Sequence, residues 1–278
     1  MKIFRWTIGD VSQIGISILE KSIIQAKKNL LKFNFNFYVC LNFSDNNKAV
    51  EKICLDNKIE IIKTNWDSFP LPKEIIPKEY NLNSLCGIPR GRQGSFWKLC
   101  PPRLEINSYE IVCDNDIIIQ NCPNEIEEFL NCNKTLISEE NVYSLGKYTK
   151  YISKPYNSGL YGFPPNYNFG AKIFKKWEET GCMQPLLSRD EQGIIILTLK
   201  SEDYIEIPKE KTCFVFDQGE AIFAKYEIIK ENGFDSQIVK EINYKKSELK
   251  KDILHFLGAN RSDTHFYWEQ YKLKRILI

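Results

Sequence analysis

Apolar positions follow two rhythms along this chain, one suited to buried strands and one to helices with an apolar face. Ile3 to Ile8 reads as a strand, closed by Gly9-Asp10. From Gln13 to Phe33 the residues Ile14, Ile18, Ile24 and Leu31 recur at spacings built from three- and four-residue steps, which predicts a helix. Lys27, Lys28 and Lys32 fall near its carboxyl end, where the helix dipole favours cations, and Asp10 or Ser12 suits its N-cap. A strand over Phe35 to Leu41, a short helix over Lys48 to Leu55 and a strand over Ile59 to Lys63 come next. Strand-helix-strand alternation with short connections predicts parallel strands and a doubly wound α/β start.

Trp66 to Ser95, rich in Pro, Asn and Gly, is expected to form a long excursion with little regular structure. It carries Arg90, Arg92 and Gln93 among glycines, suited either to phosphate or to solvent. A short helix is predicted at Phe96-Trp97-Lys98-Leu99, interrupted by Pro101-Pro102. Ile111-Val112-Cys113 and Ile117-Ile118-Ile119 read as buried strands on either side of Asp114-Asn115-Asp116. Pro123 is placed as the first residue of a helix reaching Leu130, and weaker strands are read at Thr135 to Ser138 and Val142 to Leu145. Asn157-Ser158-Gly159 opens an apolar strand that ends on Pro164-Pro165, and it serves there as a ligand-facing element or as a plain turn. A helix over Phe169 to Thr180 shows Ile173, Phe174 and Trp177 on one face. Ser188 to Gln192 heads a further buried helix, and strands are read at Tyr204 to Ile207 and Cys213 to Phe216. Ile222 to Asn243 has no clear period.

Bulk composition narrows the field without choosing within it. A chain of 278 residues with 43% hydrophobic and 27% charged content buries a full core. Lys+Arg 38 against Asp+Glu 36 leaves +2, so no bulk field points to nucleic acid. The nine cysteines are odd in number and never in C-x-x-C spacing, which argues against a disulfide framework and a structural zinc site. Reduced thiols, the absence of a long apolar run and a start without a signal-like segment give the expectation of a cytoplasmic protein. The basic and apolar tail Tyr271 to Ile278 suits either peripheral membrane contact or a docked terminal element.

The polar residues that interrupt apolar runs carry the candidate chemistry. Ionised Asp114 and Asp116 at a core boundary are costly unless compensated, and a divalent cation is the usual compensation; the competing reading is a polar β-turn. Asp10, just beyond the carboxyl end of the first strand, is placed either to contact a nucleotide or to cap the following helix. No G-x-G-x-x-G or P-loop sequence is present. His255, followed by Gly258 and Arg261, reads as a loop that brings imidazole and guanidinium to one ligand, since imidazole suits Mn²⁺ and guanidinium forks onto a diphosphate. Asp190, Glu191 and Gln192 project from a helix start into a cleft, or cap that helix.

Asp114-Asn115-Asp116, Asn157-Ser158-Gly159, Asp190-Glu191-Gln192 and His255-x-x-Gly258-x-x-Arg261 occur in an order that resembles GT-A fold glycosyltransferases, especially the family-8 group of glycogenin and lipopolysaccharide galactosyltransferases. The likeness runs from Ile3 to about Trp268 on a few short motifs. It departs from the family where Arg261 replaces a lysine and where the Asp190 to Gln192 match is shifted by one residue. The resemblance implies one compact domain with a Rossmann-like mixed sheet flanked by helices. Residues 1–120 would form the nucleotide-binding half, ending at the D-x-D, and residues 121–278 the sugar and acceptor half.

The resemblance further implies that Asp114, Asp116 and His255 hold Mn²⁺ or Mg²⁺ on the diphosphate of a sugar nucleotide, a UDP-sugar by default. Lys98 and Arg261 would add positive charge to the departing diphosphate, with Asp10, Asn115 and Gly258 lining the donor. Asn157 and Asp190 to Gln192 would orient sugar and acceptor, and retention of anomeric configuration is favoured. The acceptor is then a glycan, a lipid-linked saccharide or a protein. A nucleotidyltransferase and a silent carbohydrate-binding protein of the same fold are the rival readings, the former lacking its glycine-rich basic loop after the first strand.

Overall fold

The computed structural model describes residues 1–8, 13–41, 48–75, 93–140, 145–184, 186, 188–215, 222–231, 234–244 and 251–256. Its centre is a seven-stranded sheet in the order β3-β2-β1-β4-β7-β6-β8. These strands are β1 Lys2–Ile8, β2 Asn36–Leu41, β3 Glu60–Lys63, β4 Tyr109–Asp114, β6 Thr135–Glu139, β7 Tyr156–Phe163 and β8 Tyr204–Ile207. Neighbours pair in parallel except across β7, which runs antiparallel to both β4 and β6. The sheet is mixed and flanked by helices, as expected from the sequence. A smaller sheet in the order β5-β12-β9 joins β5 Ile117–Ile119, β12 Ile253–Phe256 and β9 Thr212–Val215. The stretch without a clear period is an antiparallel pair, β10 Ile222–Glu231 with β11 Phe234–Tyr244.

Two apolar clusters cover the two faces of the main sheet. Phe4, Trp6 and Ile8 of β1 meet α1 Gln13–Asn29, α2 Lys48–Asp56 and α3 Asn124–Phe129 on one side. On the other, β7 packs with α4 Phe169–Glu179, α5 Ser188–Leu199 and the 3₁₀ segment Gln93–Leu99. Strand alternation sends Phe4 and Trp6 to one face and Arg5 to the opposite one.

The structure corrects several local expectations. The long first helix ends at Asn29, and a separate 3₁₀ turn covers Leu31–Phe33. Ile16, Leu19, Ile23, Ala26 and Leu30 form the stripe that packs in the core cluster, at three- and four-residue steps; Ile18 is buried as expected, while Ile24 is 42% and Leu31 74% exposed. Phe174 is 38% exposed beside buried Ile173, since successive residues on a helix point about 100° apart, while its ring still packs against Trp177 one turn on, at 5.9 Å. Pro123 is an N-cap, and its helix starts at Asn124. Asn157-Ser158-Gly159 lies at the start of β7, as the strand-opening reading has it and not in a separate turn, whereas His255 lies on β12 rather than in a loop. Among the described residues no helix is long and apolar enough to cross a membrane. The eight described cysteines are free thiols. Asp10, Arg90, Arg92, Gly258, Arg261, residues 142–144 of the strand read at Val142 to Leu145, and the tail Tyr271 to Ile278 lie outside the described residues.

Candidate metal and diphosphate site

The reversal of β7 builds the site. Six strands of the sheet run one way, so Asp114 at the end of β4 and Glu140 just beyond β6 lie at the same edge. Because β7 points the other way, its first residues arrive at that edge between them. Cys113 pairs with Leu160, and Glu139 with Tyr156. Asn157, Ser158 and Gly159 are thereby set beside the D-x-D.

From Asp114 the chain turns through Asn115 and Asp116 into β5, which polar side chains of α1 hold in place. Asn29 Nδ2 donates to the Ile119 and Gln120 carbonyls at 2.8 and 2.7 Å, and Ser22 Oγ donates to the Ile117 carbonyl. Strand β12 then pairs antiparallel with β5, placing His255 across from Ile117, and the Phe256 N–H donates to the Asp116 carbonyl at 2.8 Å. His255 Nε2 stands 3.3 Å from Asp116 Oδ1. The ligand atoms of Asp114, Asp116 and His255 all lie within 4.8 Å of one another. Among the described residues this is the one group of three or more acidic, histidine or cysteine side chains close enough to share an ion.

The imidazole sits against backbone. A Cβ added at Gly159 would come within 2.8 Å of His255 Cε1, 2.8 Å of Ile117 Cδ1 and 2.6 Å of Asn157 Oδ1. Glycine at this position is what lets the ring come this close to β7.

The triad fits a hard or borderline divalent cation. Two carboxylates and an imidazole suit Mn²⁺ or Mg²⁺ better than a soft metal, for which thiolates are preferred. Asp116 Oδ1 is buried and makes no well-aligned hydrogen bond, an expense that an ion in the triad would remove. Burial alone would lower the His255 pKa, but the charges of Asp116, Asp114 and Glu140 outweigh it and leave the ring more basic than usual. Metal binding here therefore competes with a proton.

Beside the triad lies a buried lysine. Lys98, from the 3₁₀ segment Gln93–Leu99, places its Nζ 3.0 Å from each oxygen of Asp114 and 3.3 Å from Glu191 Oε1. The ammonium also donates to Ser158 Oγ at 3.2 Å and to the Ser158 carbonyl at 3.3 Å. Burial works against its charge, but Asp114 and Glu191 more than compensate and hold the pKa above the ordinary lysine value. Burial raises the Asp114 carboxyl against the opposing pull of Lys98.

The start of α5 divides its three polar residues among different tasks. Asp190 turns toward the 3₁₀ segment Gly146–Tyr151, accepting the Lys147 N–H at 2.7 Å and facing Lys147 Nζ at 3.7 Å. Glu191 accepts from Ser158 Oγ at 3.2 Å, and burial pushes its carboxyl up to about 7 despite Lys98. Gln192 accepts the Ser158 N–H at 3.2 Å through Oε1 and donates to the Tyr156 carbonyl at 3.2 Å. Helix α5 thus brings Glu191 and Gln192 to β7 while Asp190 faces a neighbouring turn.

Asn157 is engaged at both ends of its amide, donating to Glu140 Oε2 at 3.1 Å and accepting the Gly159 N–H. Asn115 is half-buried at the apex of the D-x-D turn. Glu140, absent from the sequence reading, is buried and pushed up to about 7 by that burial, with hydrogen bonds from Asn157 and Gln192 opposing the shift. Ser158, at the centre of the Lys98, Glu191 and Gln192 contacts, was also passed over. Its central position in N-S-G was the available signal, whereas Glu140 sits in a stretch with no motif.

Among solved structures, the chain is similar to the galactosyltransferase LgtC in complex with donor and acceptor sugar analogues, at 10% identity and TM-score 0.47, covering 76% of this chain and 75% of the other. A glycosyltransferase involved in glycosylation of the major capsid of PBCV-1 is similar over 98% of this chain and 100% of its own, at 11% identity and TM-score 0.44. Mouse xyloside xylosyltransferase 1 is similar over 77% and 87%, at 11% identity and TM-score 0.47. These structures are glycosyltransferases, the class that the motif order resembles. Their likeness concerns the course of the chain; the chemistry of the cleft rests on its own residues. No family model matches the chain, and no curated protein matches it.

Proposed function

We propose that this chain is a metal-dependent glycosyltransferase that moves a sugar from a nucleotide-diphosphate sugar, a UDP-sugar by preference, to a glycan, lipid-linked or protein acceptor. The observation that carries the reading is the convergence of Asp114 and Asp116 with His255, more than a hundred residues later in the chain, beside the buried ammonium of Lys98. Breaking the anomeric bond drives negative charge onto the departing diphosphate. A bound cation would supply Lewis acidity there, and fixed positive charge from Lys98 would add to it. Asp114, Asp116 and His255 would hold that cation, and Asp10, Asn115, Gly258 and Arg261 are proposed to line the donor.

Retention of the anomeric configuration fits the arrangement of α5. Inversion needs a carboxylate open to the acceptor hydroxyl as general base. Asp190 is committed to Lys147, and Glu191 to Lys98 and Ser158. Gln192, an amide that cannot serve as that base, is itself held to β7 by the Ser158 N–H and the Tyr156 carbonyl, and the resemblance puts it or its neighbours near the reacting carbon.

A panel of UDP-, GDP- and dTDP-sugars with Mn²⁺ tests the proposal through slow release of nucleoside diphosphate in the absence of acceptor. Release in the wild type, lost together with Mn²⁺-dependent UDP binding in Asp116→Ala, is the expected result. Pyrophosphate-linked exchange would favour a nucleotidyltransferase, and sugar binding without turnover would favour a silent carbohydrate-binding protein. Undiminished Mn²⁺-dependent UDP affinity in Asp116→Ala would sink the assignment of the site.

A further inference from the structure

A lysine ammonium has three hydrogens to donate, and in this structure Lys98 has a partner for each. They are the Asp114 carboxylate, the Glu191 carboxylate and Ser158. The group is almost fully withdrawn from solvent, at 7% exposure. Both Asp114 oxygens stand at the same 3.0 Å from the ammonium, so neither is left free of it. In this arrangement Lys98 has no donor to spare for a diphosphate, and Asp114 has no oxygen to offer a cation without sharing it. A cation in the triad would therefore compete with this ammonium for the Asp114 oxygens, and a diphosphate would compete with the partners the ammonium already has.

Resting on the proposed function, we infer that Lys98 is a placeholder cation. It holds Asp114 in the metal-free protein and gives that carboxylate up when a divalent ion is held by the triad, which frees the ammonium for a phosphate oxygen. Glu191 and Ser158 would keep the lysine tethered to β7 and α5 during the exchange, so that only one of its contacts changes. The consequence is an order of events: cation first, diphosphate second. Nucleotide arriving alone would meet a lysine already committed and two aspartates that repel it.

Metal affinity and lysine reactivity read this exchange separately. Mn²⁺ binding without nucleotide, followed by electron paramagnetic resonance of the free ion, should be at least about tenfold tighter in Lys98→Met than in the wild type, while Mn²⁺-dependent UDP binding weakens in the same variant. Equal or weaker Mn²⁺ binding in the variant overturns the inference. The second measurement needs no variant. Trace acetylation of the wild type, quantified by mass spectrometry, should rise at Lys98 on saturation with Mg²⁺, with half-buried Lys147 as internal reference. Acetylation of Lys98 that is indifferent to Mg²⁺ also overturns the inference.

The outcomes for this inference and for the proposed function separate. A wild type that binds Mn²⁺ and exposes Lys98 but takes no nucleoside diphosphate keeps the placeholder and rejects the glycosyltransferase. One that binds Mn²⁺ and UDP with Lys98 unmoved does the reverse. A wild type that binds no Mn²⁺ rejects both.

Discussion

At the scale of single residues, the site depends on one missing side chain and one buried acid. Gly159 makes room for His255, since a methyl group there would meet imidazole, isoleucine and asparagine atoms at 2.6–2.8 Å. Gly159→Ala is therefore expected to keep the fold but tilt the ring, lowering Mn²⁺ affinity by roughly 10- to 100-fold, the usual cost of losing an outer support of a metal ligand. Titration of Mn²⁺ into the variant, beside its circular dichroism spectrum, checks this. Glu140 illustrates how burial sets the pH response. Its folded pKa, about 7, lies above the ordinary value of 4.5, so the folded protein holds the proton more tightly than the unfolded chain. Stability from this group is greatest below pH 4.5 and is lost as pH rises toward 7, on the order of 3 kcal/mol in all. Glu140→Gln keeps an acceptor for Asn157 and removes the titration, so urea unfolding between pH 5 and pH 8 should show a flatter profile than the wild type. An unchanged slope would mean that Glu140 is ionised throughout.

At the scale of elements, the placement of Lys98 depends on an irregular segment fixed by buried arginines. Pro101 and Pro102 have no N–H to continue backbone pairing after the 3₁₀ segment. Arg5, fully buried on β1, instead donates to the carbonyls of Pro101 at 2.8 Å, Pro102 at 3.1 Å and Lys98 at 3.5 Å. Its charge is balanced by Glu110 on β4, at 2.9 Å, which also meets Arg103 at 3.3 Å. Arg103 in turn donates to the carbonyls of Glu105, Ser108, Pro164 and Tyr167. Two guanidiniums and one carboxylate thus replace the regular hydrogen bonding of a helix. Glu110→Gln leaves the two buried cations without their counter-charge and is expected to cost roughly 3–5 kcal/mol in urea unfolding. A loss below about 1 kcal/mol would show that backbone carbonyls alone suffice for both arginines.

At the scale of the whole molecule, the candidate metal site joins distant parts of the chain, because β5 and β12 pair across the sequence separation between Ile117 and His255. An ion in the triad would therefore bind only the folded state. Mn²⁺ at a hundred times its dissociation constant should raise wild-type stability by about 2.7 kcal/mol, several degrees in Tm, and EDTA should reverse the shift. His255→Ala should show little of it; an equal Mn²⁺ shift in that variant would place the ion elsewhere. By itself the sequence determined much of the local structure, including β1, α2, α4 and β8, and it named all three members of the triad. Those features are local: apolar periodicity sets an element and its buried side, and an acid or imidazole next to such a run stands out. Only the tertiary structure decided that β7 runs against its neighbours, that His255 lies on a strand, that Asp190 faces away while Glu191 turns in, and that Glu140 belongs to the cleft. Those outcomes depend on strand direction and pairing partner, which are set by contacts between residues far apart in the chain and leave no mark in any short stretch of it.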